Sequence, residues 1–321
     1  MLTILFADAQ GKVEEIRDPA RLPSLIDQPG TLWVDFFSPS EQESRLLDSV
    51  FHLHPVAIED LLQEVHYPKI DDFDKYITVV VHGLHGTPEI GALKTDELDM
   101  VIAKNWIITH RTDPFRGVDE SLRLSRSVPG FLARGAHRIA QSIVDSQATR
   151  FVERVDLLDE ELTRVEETLF QRPDRRTLQR LFRVKRDLSQ LKRIIVPQRE
   201  VFNRLGRGEF KVIPQADAIL FRDVYDHIYR VAETVDSLRD LAAGAFESYM
   251  SIISNRTNEV MRILTIISTI MLPMNLITGF FGMNFADMPE LKWPGGQYIA
   301  VLLMGAISGL LLLAFRRKRW I

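Results

Sequence analysis

Residues 263–281 read ILTIISTIMLPMNLITGFF, and no side chain in this run carries a charge. The uncharged interval continues to Ala286, so it exceeds the roughly 20 residues that take an α-helix across a bilayer. A second uncharged run, Trp293 to Phe315, contains YIAVLLMGAISGLLLLAF over 298–315. Two transmembrane helices are therefore expected, 263–283 and 298–315, joined by an external loop over 284–297 and followed by a basic tail over 316–321. Both lie at the C-terminal end, where neither reads as a signal peptide.

Basic residues near the ends of the spans set the orientation. Arg262 precedes the first span and Arg316, Arg317, Lys318 and Arg319 follow the second, against a single Lys292 between them. Both termini are expected in the cytoplasm, with the chain passing twice through the cell inner (plasma) membrane. The absence of cysteine is compatible with a reducing compartment. Upstream of the membrane, residues 1–262 hold 35 of the 40 basic and 42 of the 44 acidic side chains. A soluble part acidic by seven argues against a nucleic-acid partner and for divalent cations gathering at its surface. No G-x-x-x-x-G-K-[ST] string occurs, which speaks against a nucleotide-driven pump. No enzymatic activity and no organic cofactor are expected.

Residues 1–137 read as an α/β domain. TLWVDFF (31–37), YITVVVHG (76–83), LDMVIA (98–103) and NWIITHR (105–111) are rich in β-branched and aromatic residues, and the last two suggest a hairpin. Ser40 before EQESRLLDSVF and Pro55 opening PVAIEDLLQEV supply helix starts. Over 138–213 the apolar period changes to 3.6, giving a helical hairpin whose first helix ends at Arg172-Pro173 and whose second weakens at Pro197. The basic face of the second helix, from Arg175 to Arg193, reads as a solvated face pairing with the acidic first helix. Between Pro214 and Pro273 there is no proline. The interval 214–262 is a stalk helix that continues into the first span, roughly 95 Å from Asp217 to Phe281 at 1.5 Å per residue.

Two spans cannot enclose a pore, so the chain is either an anchor for a sensor or scaffold domain or a subunit of an oligomer. The first span carries Asn258, Met261, Leu264 (or its neighbour Thr265), Ser268, Leu272, Asn275 and Gly279 at steps of three and four. That stripe suits close helix packing, or the lining of an aqueous path. It has no carboxylate, and magnesium gives up its waters reluctantly. Neutral oxygens along the stripe would accept hydrogen bonds from the water shell of a hydrated ion. A gate could lie at Met261, Leu264 or Leu272. The pairs His52/His54 and His82/His85 have no cysteine or third ligand nearby, so they read as ordinary strand-end histidines rather than a zinc site.

Gly282-Met283-Asn284, at the end of the first of two C-terminal spans, resembles the signature of the CorA family of magnesium channels. MPEL (288–291), the tail RRKRW, TNEVMRILTIISTI, HPVAIEDLL and FRDVYDH are also similar to that family. The resemblance implies a funnel-shaped homopentamer in the lipid bilayer. The long helices would line the pore, and Gly282, Met283 and Asn284 would form the selectivity filter at its outer mouth. It also implies cytoplasmic divalent ions, Mg2+ being both cargo and regulator, held between neighbouring subunits at Glu59, Asp60, Asp223 and Asp145. Two departures are Phe281, where tyrosine is commoner, and Asn275, where a hydroxyl residue is frequent. Proton-coupled zinc transporters of the ZntB type share this architecture, so the ion and the coupling stay open at this point.

Overall fold

The computed structural model describes residues 1–63, 67–86, 89–171, 174–283 and 294–320. Among them, seven strands form one sheet: β1 (Leu2–Asp8), β2 (Val13–Ile16), β3 (Gly30–Phe37), β4 (Lys69–Asp72), β5 (Tyr76–Leu84), β6 (Thr95–Ala103) and β7 (Trp106–Arg111). Their order is β2-β1-β3-β7-β6-β5-β4. The expected β6–β7 hairpin is present, and β3 pairs with β7 in parallel while the other pairs are antiparallel.

Side chains alternate across a strand, and here both faces are buried. Leu5, Trp33, Val79, Met100 and Ile107 enter one core, whereas Ile4, Val34, Val101 and Ile108 enter the other. Short helices α1 (Leu22–Ile26), α3 (Leu46–Ser49) and α4 (Pro55–Leu62) cover the second face, with α2 (Glu41–Ser44) leading into α3. The single helix expected after Ser40 is thus two, the first held by a capping box between Ser40 and Glu43. The first face is covered by α5 (Arg116–Ser127), α6 (Ala136–Gln171), α7 (Arg175–Gly206) and the N-terminal part of α8 (Ala218–Phe281). Gly117 lets α5 approach α6 closely, since a Cβ there would stand 2.6 Å from the Ile143 carbonyl oxygen.

α6 and α7 form the expected hairpin, but α7 does not weaken at Pro197; it runs through that residue to Gly206. An internal proline costs about 3 kcal/mol. Ile194, Ile195, Val201 and Phe202 are all buried around it, and each such side chain contributes about 1.5–3 kcal/mol. Gln198, one residue on, accepts the His82 backbone N–H of β5 at 2.9 Å. The hairpin is clamped further by Asp187 of α7, which accepts from Arg154 of α6 at 2.6 Å and from the Gly91 N–H at 2.8 Å.

α8 is one helix of 64 residues, continuous through Pro273, and α9 (Gly296–Arg317) has 22. Both are long and apolar enough to cross a membrane. The chain divides into two compact units, Met1–Phe246 and Glu247–Ile321.

Candidate ion pathway and cation-binding carboxylates

In the C-terminal unit, α8 has a covered face and an open one. Ile266, Ile270, Pro273, Met274 and Ile277 are its less exposed residues, as Ala300, Met304, Ile307, Ser308 and Leu311 are on α9. Ser308 Oγ reaches Met274 Sδ at 3.7 Å, so these are the faces the two helices turn to each other. Asn258, Met261, Leu264, Ser268, Leu272, Asn275 and Gly279 are all exposed. With 3.6 residues per turn, that stripe lies roughly 160° around α8 from the covered face. Leu272 is 70% exposed where Ile277 is 9% exposed, so the stripe is not the packing face between the two spans of one chain.

The hydroxyls along α8 have different duties. Thr265 Oγ1 donates to the Met261 carbonyl at 2.7 Å and Thr278 Oγ1 to the Met274 carbonyl at 2.9 Å, the back-bonding by which a helix absorbs a threonine in an apolar setting. Among the described residues, Ser268 and Asn275 spend no side-chain hydrogen bond within the chain, so their polar atoms face outward. A Cβ on Gly279 would meet nothing within 4 Å. At the helix end, the Gly282 N–H donates to the Thr278 carbonyl at 2.9 Å and the Met283 N–H to the Phe280 carbonyl at 3.3 Å. Asn284 lies outside the described residues, as do Asp287, Glu290 and Lys292.

The four candidate carboxylates of the Met1–Phe246 unit fall into two places. His54 caps α4 by accepting the Val56 N–H on Nδ1 at 3.2 Å, which sets the helix carrying Glu59 and Asp60. Glu59 is exposed. Asp60 accepts from Lys69 Nζ of β4 at 2.6 Å, so a cation arriving there meets a carboxylate already paired. Asp145 on α6 and Asp223 on α8 do come together. Burial raises the Asp145 carboxyl above its usual range, nearby His227 opposes the rise and Asp223 adds to it. α4 covers one face of the sheet while α6 and α8 cover the other, so a single protomer does not unite Glu59 and Asp60 with Asp145 and Asp223.

Among the described residues, no group of three or more His, Asp or Glu side chains is arranged to hold a metal ion. Three of the four paired histidines are engaged: His54 caps α4, His85 Nδ1 lies 2.7 Å from Asp96 Oδ1, and His82 Nε2 lies 3.7 Å from Glu97 Oε2.

The family of CorA-like Mg2+ transporter proteins matches residues 29–317. A cobalt/magnesium transport protein CorA of Thermotoga maritima is 33% identical over 274 residues, covering 84% of this chain and 78% of that protein. This chain belongs to the CorA family. Its members are membrane transporters of divalent cations, magnesium and cobalt among them. The CorA transporter structure from Methanocaldococcus jannaschii is similar with a TM-score of 0.84 and 19% identity, covering 100% of this chain and 99% of that one. The CorA-like fold is therefore present, with its N-terminal α/β domain, long helix and two C-terminal apolar helices. The cytoplasmic domain of ZntB from Vibrio parahaemolyticus is also similar, with a TM-score of 0.67 and 14% identity over 79% of this chain and 98% of that one. The fold of the N-terminal unit is common to both kinds of protein and does not itself choose the ion.

Two side chains beside the candidate carboxylates of this CorA-family chain were not singled out from the sequence. Lys69, nine residues after Asp60, pairs with it only because β4 lies beside α4. His227 stands four residues after Asp223, one turn along the same helix face, and that spacing was the available signal.

Proposed function

We propose that this chain is one subunit of a homopentameric channel that admits hydrated magnesium into the cell, with cobalt and nickel as hydrated analogues. The observation that carries the reading is the uncharged stripe on the α8 face turned away from α9. Exposed Asn275 and Ser268 offer neutral oxygens to the waters of an ion. Met261, Leu264 and Leu272 supply apolar constrictions of the kind that gate by dewetting. The Gly282-Met283-Asn284 segment at the end of α8 is the filter, with Asn284 the first ring that an arriving hydrated ion meets. Both termini are cytoplasmic, so an inside-negative potential drives the ion inward by about 4.6 kcal/mol per 100 mV for two charges. No coupling ion is then needed.

Regulation follows from the two separated carboxylate sets. Glu59 and Asp60 of one subunit and Asp145 and Asp223 of its neighbour form a shared cation site. A bound cation cancels their repulsion and holds the closed arrangement; its loss lets the subunits part. Internal magnesium thereby limits its own entry.

The test is flux into proteoliposomes holding the purified chain, under a potential and then under a pH gradient. Magnesium uptake driven by the potential and lowered at least tenfold by Asn284→Ala is the expected result. Undiminished flux in that variant removes the filter assignment. No flux in the unaltered chain leaves a membrane-anchored sensor or scaffold, and zinc uptake that follows the pH gradient makes it a ZntB-type transporter.

A further inference from the structure

Two cavities on the Met1–Phe246 unit share a wall. The larger, about 780 Å³, is lined in part by His85, Arg116, Asp119, Glu120, Arg123 and Arg150. The smaller, about 350 Å³, shares Arg116, Glu120 and Arg150 and extends to Asp145 and Glu153. Both volumes fall in the range of small-molecule sites, roughly 300–1,000 Å³.

The charges around the larger cavity do not cancel. Asp119 shares Arg111, at 2.8 Å, with the buried Asp35, and His85 lies 2.7 Å from Asp96. Glu120 accepts from the Ser146 hydroxyl at 3.2 Å. Arg150 donates to the carbonyls of Leu84, at 2.7 Å, and of Gly86; these neutral carbonyls fix the guanidinium in place without a direct ion pair. Among the described residues, Arg116 and Arg123 form no ion pair. Burial and the charge of neighbouring Arg116 hold Arg150 below its usual range, against the opposing pull of Glu153 and Asp96.

On this wall three guanidinium groups face two carboxylates, Asp119 and Glu120, and the positive excess asks for an anion. The planar fork of arginine matches phosphate and carboxylate oxygens in bidentate fashion. Arg116 and Arg123 are two turns apart on α5, a rise of about 10 Å, so one anionic centre does not serve both well and a chain of them does. We propose that the cavity between Arg116, Arg123 and Arg150 binds an oligophosphate anion. Asp145 lines the adjoining cavity, so the divalent cation that such an anion carries arrives beside that carboxylate. This last step rests on the regulatory reading of Asp145 above; the arginine site does not.

The test is isothermal titration calorimetry on the full-length chain in detergent micelles, with sodium tripolyphosphate and, separately, ATP as probes. Binding of both is expected, at least tenfold weaker in an Arg116→Ala/Arg123→Ala variant and unchanged in Arg193→Ala, a control on the exposed face of α7. Tighter binding of ATP than of tripolyphosphate adds a nucleoside to the ligand; equal binding assigns the phosphate chain alone, and both support the site. No heat with the unaltered chain, equal affinity in the double variant, or sulfate binding as tightly as tripolyphosphate overturns it. Calorimetry reads binding without flux, so the outcome is independent of the channel assignment.

Discussion

Asp99 illustrates what one residue gains from its register. It sits on β6 opposite His110 of β7, and two positions back Glu97 faces His82 of β5. Burial drives its carboxyl up to about 7; Glu97 and Asp60 add to the rise, and His110, at 3.3 Å, opposes it. The unfolded value is about 3.9, so the folded state binds this proton more tightly than the unfolded state does. Ionising Asp99 thus destabilises the fold, fully above about pH 7 and progressively less between pH 7 and 4, at about 1.4 kcal/mol per pKa unit. Asp99→Asn is expected to raise the unfolding free energy at pH 8 by at least about 1 kcal/mol. Near pH 4 the gain should vanish, and urea unfolding at the two pH values checks it. Asp99 was not legible in the sequence, where LDMVIA reads only as a strand. Its character comes from strands that flank it in space, whereas Asn284 announces itself through its immediate neighbours.

At the scale of elements, the clamp between α6 and α7 carries the clearest prediction. Arg154 and Asp187 are buried together, and Asp187 also accepts the Gly91 N–H, tying the segment before β6 to the hairpin. Removing one partner of such a pair leaves a buried charge without its counterion, which costs about 3–5 kcal/mol. Asp187→Ala should therefore lower the thermal midpoint of the N-terminal unit, followed by circular dichroism, while Asp236→Ala at the exposed Lys192 pair moves it little. Long helices were legible because their signals are local: an apolar period of 3.6 and a proline-free interval from 214 to 273 sufficed for α8. Pro197 misled for the same reason, since local propensity counts the lost N–H and not the burial of Ile194, Ile195, Val201 and Phe202. The parallel pairing of β3 with β7 left no local trace, as 68 residues separate Phe37 from Trp106.

For the whole molecule, the open face of α8 poses the question of what covers it. One span packs through Ile277 and Ala300, and the stripe on the other side remains exposed. If five copies place that stripe on a common axis, stripe residues of neighbouring chains approach one another while the outer residues of α9 face lipid. The chain contains no cysteine, so single cysteines report this directly. Leu272→Cys, on the stripe, is expected to give covalent dimers with a short bismaleimide cross-linker in membranes. Leu310→Cys, 69% exposed on α9, is expected to stay monomeric under the same treatment. The reverse pattern would move the axis to α9 and withdraw the pathway from α8. The proposed regulation has its own test: magnesium at millimolar concentration should protect the N-terminal unit from protease, and Asp60→Asn with Asp223→Asn should weaken that protection. Equal protection in the double variant would detach those carboxylates from cation binding while leaving the cross-linking result, and the pathway, intact.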